Sequence, residues 1–388
     1  MEKRTIEECF YQIRNGANIK QGAIEGGFPI TRIETVSNDK FHRDRMGYAG
    51  ITDIGKYESY ILEDGDLLMS HINSVQYLGR TVLYQKQGNE TIIHGMNLLG
   101  LKANRNIINP AYARYYFYSP MFREQIRRIT KKSVNQASFA VSDLKKLTIL
   151  VPSLEEQAQV VEVLDKINML IDLRQNELQK LDELVKSRFI ELFGEPMENP
   201  HNYPVKRIDE VAELVKGITY SPEEVCDKDG IVVLRSSNIK GSAFDLQDIV
   251  IISKKVSSEK LVKENDILMC NRNGSARLVG KVALIPKLDE GMTFGTFMTI
   301  VRSQMYKYLF VFFQMEAFRR QIQFQTAVAI NQISLPLLAS VTVPIPLMEL
   351  QEQFAAFVEQ TDKSKFVIQK AIDELQTLYD SLMQEYFG

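Results

Sequence analysis

From Val160 onward, apolar residues recur at alternating steps of four and three: Val160, Leu164, Ile167, Ile171, Leu178, Leu181, Val185 and Leu192, with Arg174 and Arg188 in the two remaining places. This is the heptad spacing of a helix that buries one seam against another helix. The spacing returns as Phe354, Val358, Thr361, Lys365, Ile368, Ile372, Leu375, Tyr379, Leu382 and Tyr386. Pro152 and Pro346 precede the two runs, and Gly194 and Gly388 follow them, as helix starts and stops require. Each run predicts one helix of ~40 residues, about 60 Å long. Seams this long need cover, so the two helices are expected to pair antiparallel. Leu164, Ile171 and Leu178 of the first would then meet Ile368, Leu375 and Leu382 of the second. Arg174 and Lys365 in the seam would cost stability and help fix register.

The segments before each helix follow other periods. "IVVLRSSNI" (231–239), "TVLYQ" (81–85), "KVALIP" (281–286) and "SVTVPIP" (340–346) are β-branched runs bounded by Gly, Pro or Asn, and they predict strands. "NPAYARYYFYSPMFREQIRRI" (109–129) predicts a helix capped by Asn109 with Pro110 in its first turn. Its Tyr115, Tyr116 and Phe117 are expected in the core.

These patterns occur twice. "SRFIELFG" (187–194) is echoed by "SLMQEYFG" (381–388), and "LTILVPSLEEQAQV" (147–160) by "VTVPIPLMELQEQF" (341–354), both at a shift of 194 residues. "MFREQI" (121–126) answers "AFRRQI" (317–322), "VNQASF" (134–139) answers "INQISL" (330–335), and "GDLLMS" (65–70) answers "NDILMC" (265–270). One unit of about 194 residues is used twice. The expected fold class is α+β: mixed globular domains at 1–151 and 195–345, and long spacer helices at 152–194 and 346–388.

Composition narrows the function. The net charge is −2, but residues 71–150 carry 12 basic against 3 acidic side chains, and residues 271–345 carry 8 against 3. Local basic density of this kind attracts phosphates. The three cysteines, Cys9, Cys226 and Cys270, show no metal or disulfide spacing, which fits a reducing cytoplasm. The charged start "MEKRTIEECF" and the lack of a long apolar run give no sign of export or a membrane span. No phosphate loop, dinucleotide fingerprint, nucleophile elbow or histidine metal spacing occurs. "NPAY" (109–112) faintly resembles the tetrapeptide of adenine methyltransferases, but it starts a helix and no glycine-rich cofactor motif precedes it. The motif search points to a binding protein without a catalytic set.

Two globular units, each followed by "VPSLEEQ" or its echo and a helix ending in Phe-Gly, resemble the DNA specificity subunit of type I restriction–modification systems. The most specific segments are "NQASFAVSDLKKLTILVPSLEEQAQVVEVL" (135–164), its echo from Asn331, and "GDLL" (65–68). The resemblance covers the whole chain. It implies two target recognition domains reading a bipartite site in double-stranded DNA. It also implies helices that space them and dock two methyltransferase subunits, and a separate restriction translocase–nuclease. S-adenosylmethionine is then expected in the partner methyltransferase, with no cofactor in this chain. The competing readings are a coiled-coil scaffold whose domains bind proteins, and a diverged methyltransferase.

Base readout needs Arg, Lys, Asn, Gln or Ser on loops that reach a groove. "HINSVQYLGR" (71–80) offers Asn73, Gln76 and Arg80; "NRNGSARLVGK" (271–281) offers Asn271, Arg272, Asn273, Arg277 and Lys281. Both loops follow a hydrophobic strand and contain no carboxylate. Arg127, Arg128, Lys131 and Lys132 form a cluster suited to phosphates. A second pair of loops, 37–45 and 235–242, is the further candidate.

Overall fold

The computed structural model describes residues 2–22, 27–37, 39–133, 136–324 and 332–388. The segment expected to form one helix over 109–129 forms two. Asn109 Oδ1 accepts from the Ala111 N–H at 2.9 Å and starts Pro110–Tyr118. Ser119 Oγ then accepts from the Phe122 N–H at 3.2 Å and starts Pro120–Ile129. Pro120 has no N–H with which to continue the first helix, and its ring would collide with the carbonyl four residues earlier. The apolar period runs through the break; the backbone does not.

Two compact units emerge, one of Met1–Gln175 with Lys370–Gly388, the other of Asn176–Gln369. Their boundaries cut both 40-residue helices, Leu154–Phe193 and Met348–Phe387. In unit 1 a four-stranded antiparallel sheet has the order Phe10–Asn15, Leu98–Ala103, Leu67–Ser70, Thr81–Leu83. Unit 2 repeats that order with Glu213–Lys216, Met298–Arg302, Ile267–Cys270 and Val282–Leu284. It adds a second four-stranded sheet in which Ile231–Leu234 pairs parallel with Met292–Phe294. Each unit is also tied by a two-stranded pair, Glu2–Thr5 with Thr148–Val151 and Val205–Arg207 with Thr342–Pro344.

The ends of the long helices are core residues. In unit 1, Phe387 and Met383 are buried in the cluster that holds Tyr112, Tyr116, Phe117 and Leu164. The Phe387 ring lies 5.2 Å from Tyr112 and 6.0 Å from Tyr116. In unit 2, Phe189 and Phe193 lie 4.8 and 5.0 Å from Tyr308, and both pack on Phe354. Tyr112 and Tyr308 are counterparts even in their hydroxyls, which donate to Leu150 O and Pro344 O at 3.0 and 2.8 Å. The buried seam therefore shifts phase in the last turns, from the expected Leu192 and Tyr386 to Phe189, Phe193, Met383 and Phe387. There the helix is wrapped by a globular core and no longer faces only another helix.

Along the helix bodies, Leu164 and Ile171 are buried, while Leu178, Ile368, Leu375 and Leu382 are half-buried. Within unit 1, Asn168 donates toward the Tyr379 hydroxyl. Within unit 2, Lys365 pairs with Asp182 at 2.5 Å and Arg188 stands over the Phe357 ring.

Fully burying an aromatic side chain contributes ~1.5–3 kcal/mol, and truncating one to alanine costs about 3–5 kcal/mol. Phe193→Ala should therefore loosen unit 2, and Phe387→Ala should loosen unit 1. Hydrogen exchange resolved by peptide reads the difference. Faster exchange in residues 1–150 for Phe193→Ala would contradict this assignment.

Candidate nucleic-acid interface

Each candidate loop is launched from a strand pinned by a buried ion pair. Asp66 accepts from the Glu63 N–H at 2.9 Å and pairs with Lys102 at 3.2 Å. Asp266 accepts from the Lys263 N–H and takes Arg302 on both oxygens, all at 2.8 Å. This gives the aspartate of "GDLL" and "NDIL" a structural role. At the far end of each loop a glycine turns the chain back: Gly79 has φ +72° and Gly280 φ +79°, a region that side-chain-bearing residues rarely adopt.

Arginines from the neighbouring helices hold the loops down. Arg123 donates to Leu78 O at 2.8 Å and Arg319 to Val279 O at 2.6 Å. They come from the matched "FREQI" and "FRRQI", where the sequence shows the repeat but not the role. The next matched side chains, Gln125 and Gln321, clasp both backbone polar groups of Thr148 and Thr342 at 2.8–3.0 Å.

The structure sorts the sequence candidates by what they do. Asn73 Oδ1 accepts from the Ser74 N–H at 2.8 Å, and Asn273 Oδ1 from the Ser275 N–H at 2.9 Å. Asn273 also donates to Ser236 Oγ at 3.0 Å, which brings the second candidate loop of that unit beside the first. Both asparagines shape their own loop. Asn271 is buried at the loop's root, where its backbone bonds Phe297 and Ile333. Arg80 and Lys281 lie half-exposed on the returning arm, Arg80 over the Tyr77 ring at 4.6 Å. Gln76, Arg272 and Arg277 stand exposed.

In unit 1 the phosphate-type cluster joins the loop through a small sheet. Lys131–Lys132 pairs with Ala137–Ser138, which pairs in turn with Ile72–Asn73. Ile72, Ser138 and Lys131 are mutually opposite and so share a face. Arg127 and Arg128 extend from the preceding helix, about three-quarters exposed, and each meets Glu124, at 3.4 and 3.2 Å. A groove of about 580 Å³ runs between loop and helix, lined by Ser74, Gln76, Arg123 and Arg127 among others. In unit 2, Arg272 sits opposite Gln332, and its guanidinium lies 5.0 Å from the Phe297 ring.

The second candidate loops are largely occupied with their own fold. Arg43 takes Glu90 at 2.6 and 2.9 Å and holds that carboxyl far down, at about 2. Lys40 meets Asp172 at 3.0 Å, Arg235 meets Asp248 at 2.8 Å, and Asn238 is fully buried. Among the described residues no cluster could hold a metal ion, and no helix is long and apolar enough to cross a membrane.

Comparison with known proteins identifies the family. The family model of the type I restriction modification DNA specificity domain matches twice, at residues 1–183 and 200–377. The chain belongs to this family. It is 28% identical to the putative type I restriction enzyme MjaX specificity subunit of Methanocaldococcus jannaschii, over 97% of this chain and 92% of that one. Against the EcoKI specificity subunit of Escherichia coli it is 23% identical, over 50% of this chain and 42% of the other. The solved S subunit from M. genitalium shares the fold, with TM-score 0.54, 14% identity and coverage of 100% and 96%.

The buried histidines predict that unit 1 loses stability in acid before unit 2. Burial holds His94 neutral, pushed down to about 4, with Nε2 2.8 Å from Leu98 O. His71, at the root of the loop, is also lowered by burial. As pH falls below about 6.5 the unfolded chain takes up a proton that folded His94 refuses until about 4, so stability falls through that window. The loss from His94 alone is about 2 kcal/mol by pH 5. Among the described residues unit 2 has no buried histidine. Hydrogen exchange at pH 7.5 and 5 should show the larger loss of protection in unit 1, and equal loss in both units would refute the assignment.

Proposed function

We propose that this chain is the sequence-reading subunit of a type I restriction–modification complex, each globular domain reading one half of a split site in duplex DNA. The observation that carries the reading is a pair of loops launched and anchored by matched residues, with exposed and different tips. The recognition domains span 1–151 and 195–345, and the helices of 152–194 and 346–388 form the spacer. Asn168–Tyr379 in unit 1, and Asp182–Lys365 and Phe193–Phe354 in unit 2, each have residue numbers that add to 547. With Phe189–Phe354 and Arg188–Phe357, which add to 543 and 545, the sums stay nearly constant, the arithmetic of antiparallel helices, and support a coiled-coil spacer. Half-sites on one face of B-DNA recur every ~34–36 Å, so such a spacer sets their separation.

The chain itself is a non-catalytic subunit, and adenine methylation falls to two partner methyltransferase subunits carrying S-adenosylmethionine. Exposed apolar residues at matched positions support their docking on the helices: Leu173 and Val367, and Leu184 and Leu378, each pair 194 residues apart. The restriction translocase–nuclease is the third component, and the complex works in the cytoplasm.

The full chain with its methyltransferase should bind a duplex with an affinity that falls steeply with salt. Replacing Arg127, Arg128, Lys131 and Lys132 by alanine should lower the salt slope by about one for each phosphate no longer neutralised, without changing the methylated sequence. Salt-independent binding would favour the protein-scaffold reading. Methyl transfer by the purified chain with S-adenosylmethionine alone would overturn its non-catalytic role.

A fragment of residues 1–194 lacks Met383 and Phe387 but carries Phe189 and Phe193. It should form a homodimer in which Phe193 of one copy fills the core of the other, and so direct methylation to an interrupted palindrome. Light scattering and methylome mapping check this, and a soluble monomer at high concentration is the contrary result.

A further inference from the structure

Matched residues hold the two loops in place, and unmatched residues occupy exposed positions on them. Position 72 is isoleucine where its counterpart, 272, is arginine; position 76 is glutamine where its counterpart, 277, is arginine. All four side chains are exposed, as is Val75 between the unit 1 pair. Gln76 and Arg277 lie on matching short 3₁₀ turns, Val75–Tyr77 and Ala276–Leu278, while Ile72 and Arg272 lie at the roots of the loops, in a short strand and a β-bridge.

Two exposed β-branched side chains on a loop beside a basic cluster need an explanation. Ile72 shares its face with Lys131 two strands away, about 10 Å at the usual strand spacing. An apolar protein partner would have to bury that ammonium as well. Duplex DNA meets both at once, with a phosphate on the lysine and a base edge on the isoleucine. The apolar feature of the major groove is the thymine C5 methyl, and the glutamine amide matches adenine N6 and N7. In unit 2 the arginine forks match guanine O6 and N7. Among the described residues no carboxylate pairs with Arg272 or Arg277, and Phe297 beneath Arg272 restricts the fork before DNA arrives.

We propose that the two half-sites are read by different chemistries: residues 72–76 meet A·T pairs through methyl and amide contacts, and residues 272–277 meet G·C pairs through guanidinium–guanine contacts. This rests on the DNA-reading function proposed above. The division applies to the base pairs under these two loops and leaves the methylated adenines to the partner subunits.

The test uses the full chain with its methyltransferase. The methylated sequence is mapped first for the native chain and then for Arg272→Ala with Arg277→Ala, which relaxes one half and so assigns it to unit 2. Duplexes of the native site then carry 7-deazaguanine, which lacks N7, or deoxyuridine, which lacks the C5 methyl, in one half at a time. 7-Deazaguanine should raise Kd about tenfold or more in the unit 2 half and less than about threefold in the other; deoxyuridine should weaken binding more in the unit 1 half. Ile72→Arg with Gln76→Arg should draw a guanine into the unit 1 half alone. A unit 2 half-site without a G·C pair, equal effects in both halves, or the reverse pattern overturns the proposal while DNA reading stands. If the complex shows no salt-dependent binding to duplex, the proposed function fails, and this assignment with it.

Discussion

Each globular core closes on the phenylalanine that ends a long helix, and in unit 1 that residue comes from a separate stretch of the chain. In unit 1 Phe387 packs against Tyr112 and Tyr116, and in unit 2 Phe193 does so against Tyr308 and Phe354. The rest of each unit is organised around that contact. The tyrosine under the phenylalanine donates to the strand that leads into a long helix. The next helix clasps the same strand through Gln125 or Gln321, and holds the following loop of the sheet through Arg123 or Arg319. Aromatic packing is short-ranged and geometrically selective. A displaced ring is therefore felt at the strand, the clasp and the loop, and the core and the interface share one scaffold.

A division of labour follows among the polar residues. Asp66, Asn73, Arg123 and Gln125 have counterparts of similar chemistry in unit 2, and all are spent on intramolecular hydrogen bonds. Such bonds keep a loop in one shape without conferring any preference for sequence. The tips differ between units and point outward. One scaffold can thus present unrelated surfaces, because the side chains that set its shape are not those exposed at its tips.

Much of the fold is legible in the sequence because it rests on periodicity and local caps. The heptads place both long helices, and the Asn109 cap stands where "NPAY" puts it. The break at Ser119–Pro120 escapes such a reading because the apolar period continues across it, and periodicity reports which side chains are buried, not whether the backbone is continuous. The plugging of Phe193 and Phe387 escapes it too. The repeated Phe-Gly ending is visible, but a seam read as helix against helix has no place for a residue that leaves it to enter a sheet-and-helix core. Among the site residues, type and loop location identify Gln76, Arg272 and Arg277 as exposed. Asn73, Asn273 and Asn271 have the right chemistry for bases but face inward, which only the loop's own hydrogen bonds reveal.

The noncontiguous make-up of unit 1 has a bearing on how the protein is born. Its residues 1–175 leave the ribosome before the 194 residues of unit 2, and Phe387 follows only after them. At typical elongation rates of ~5–20 residues per second, that interval is about 10–40 s. Throughout it, the domain made first has an unfilled aromatic core, while the domain made second already has Phe193 in hand. The growing chain therefore completes its domains in the reverse of their order in the message, and the earlier one waits, open to chaperones or to the wrong helix, for a side chain not yet translated.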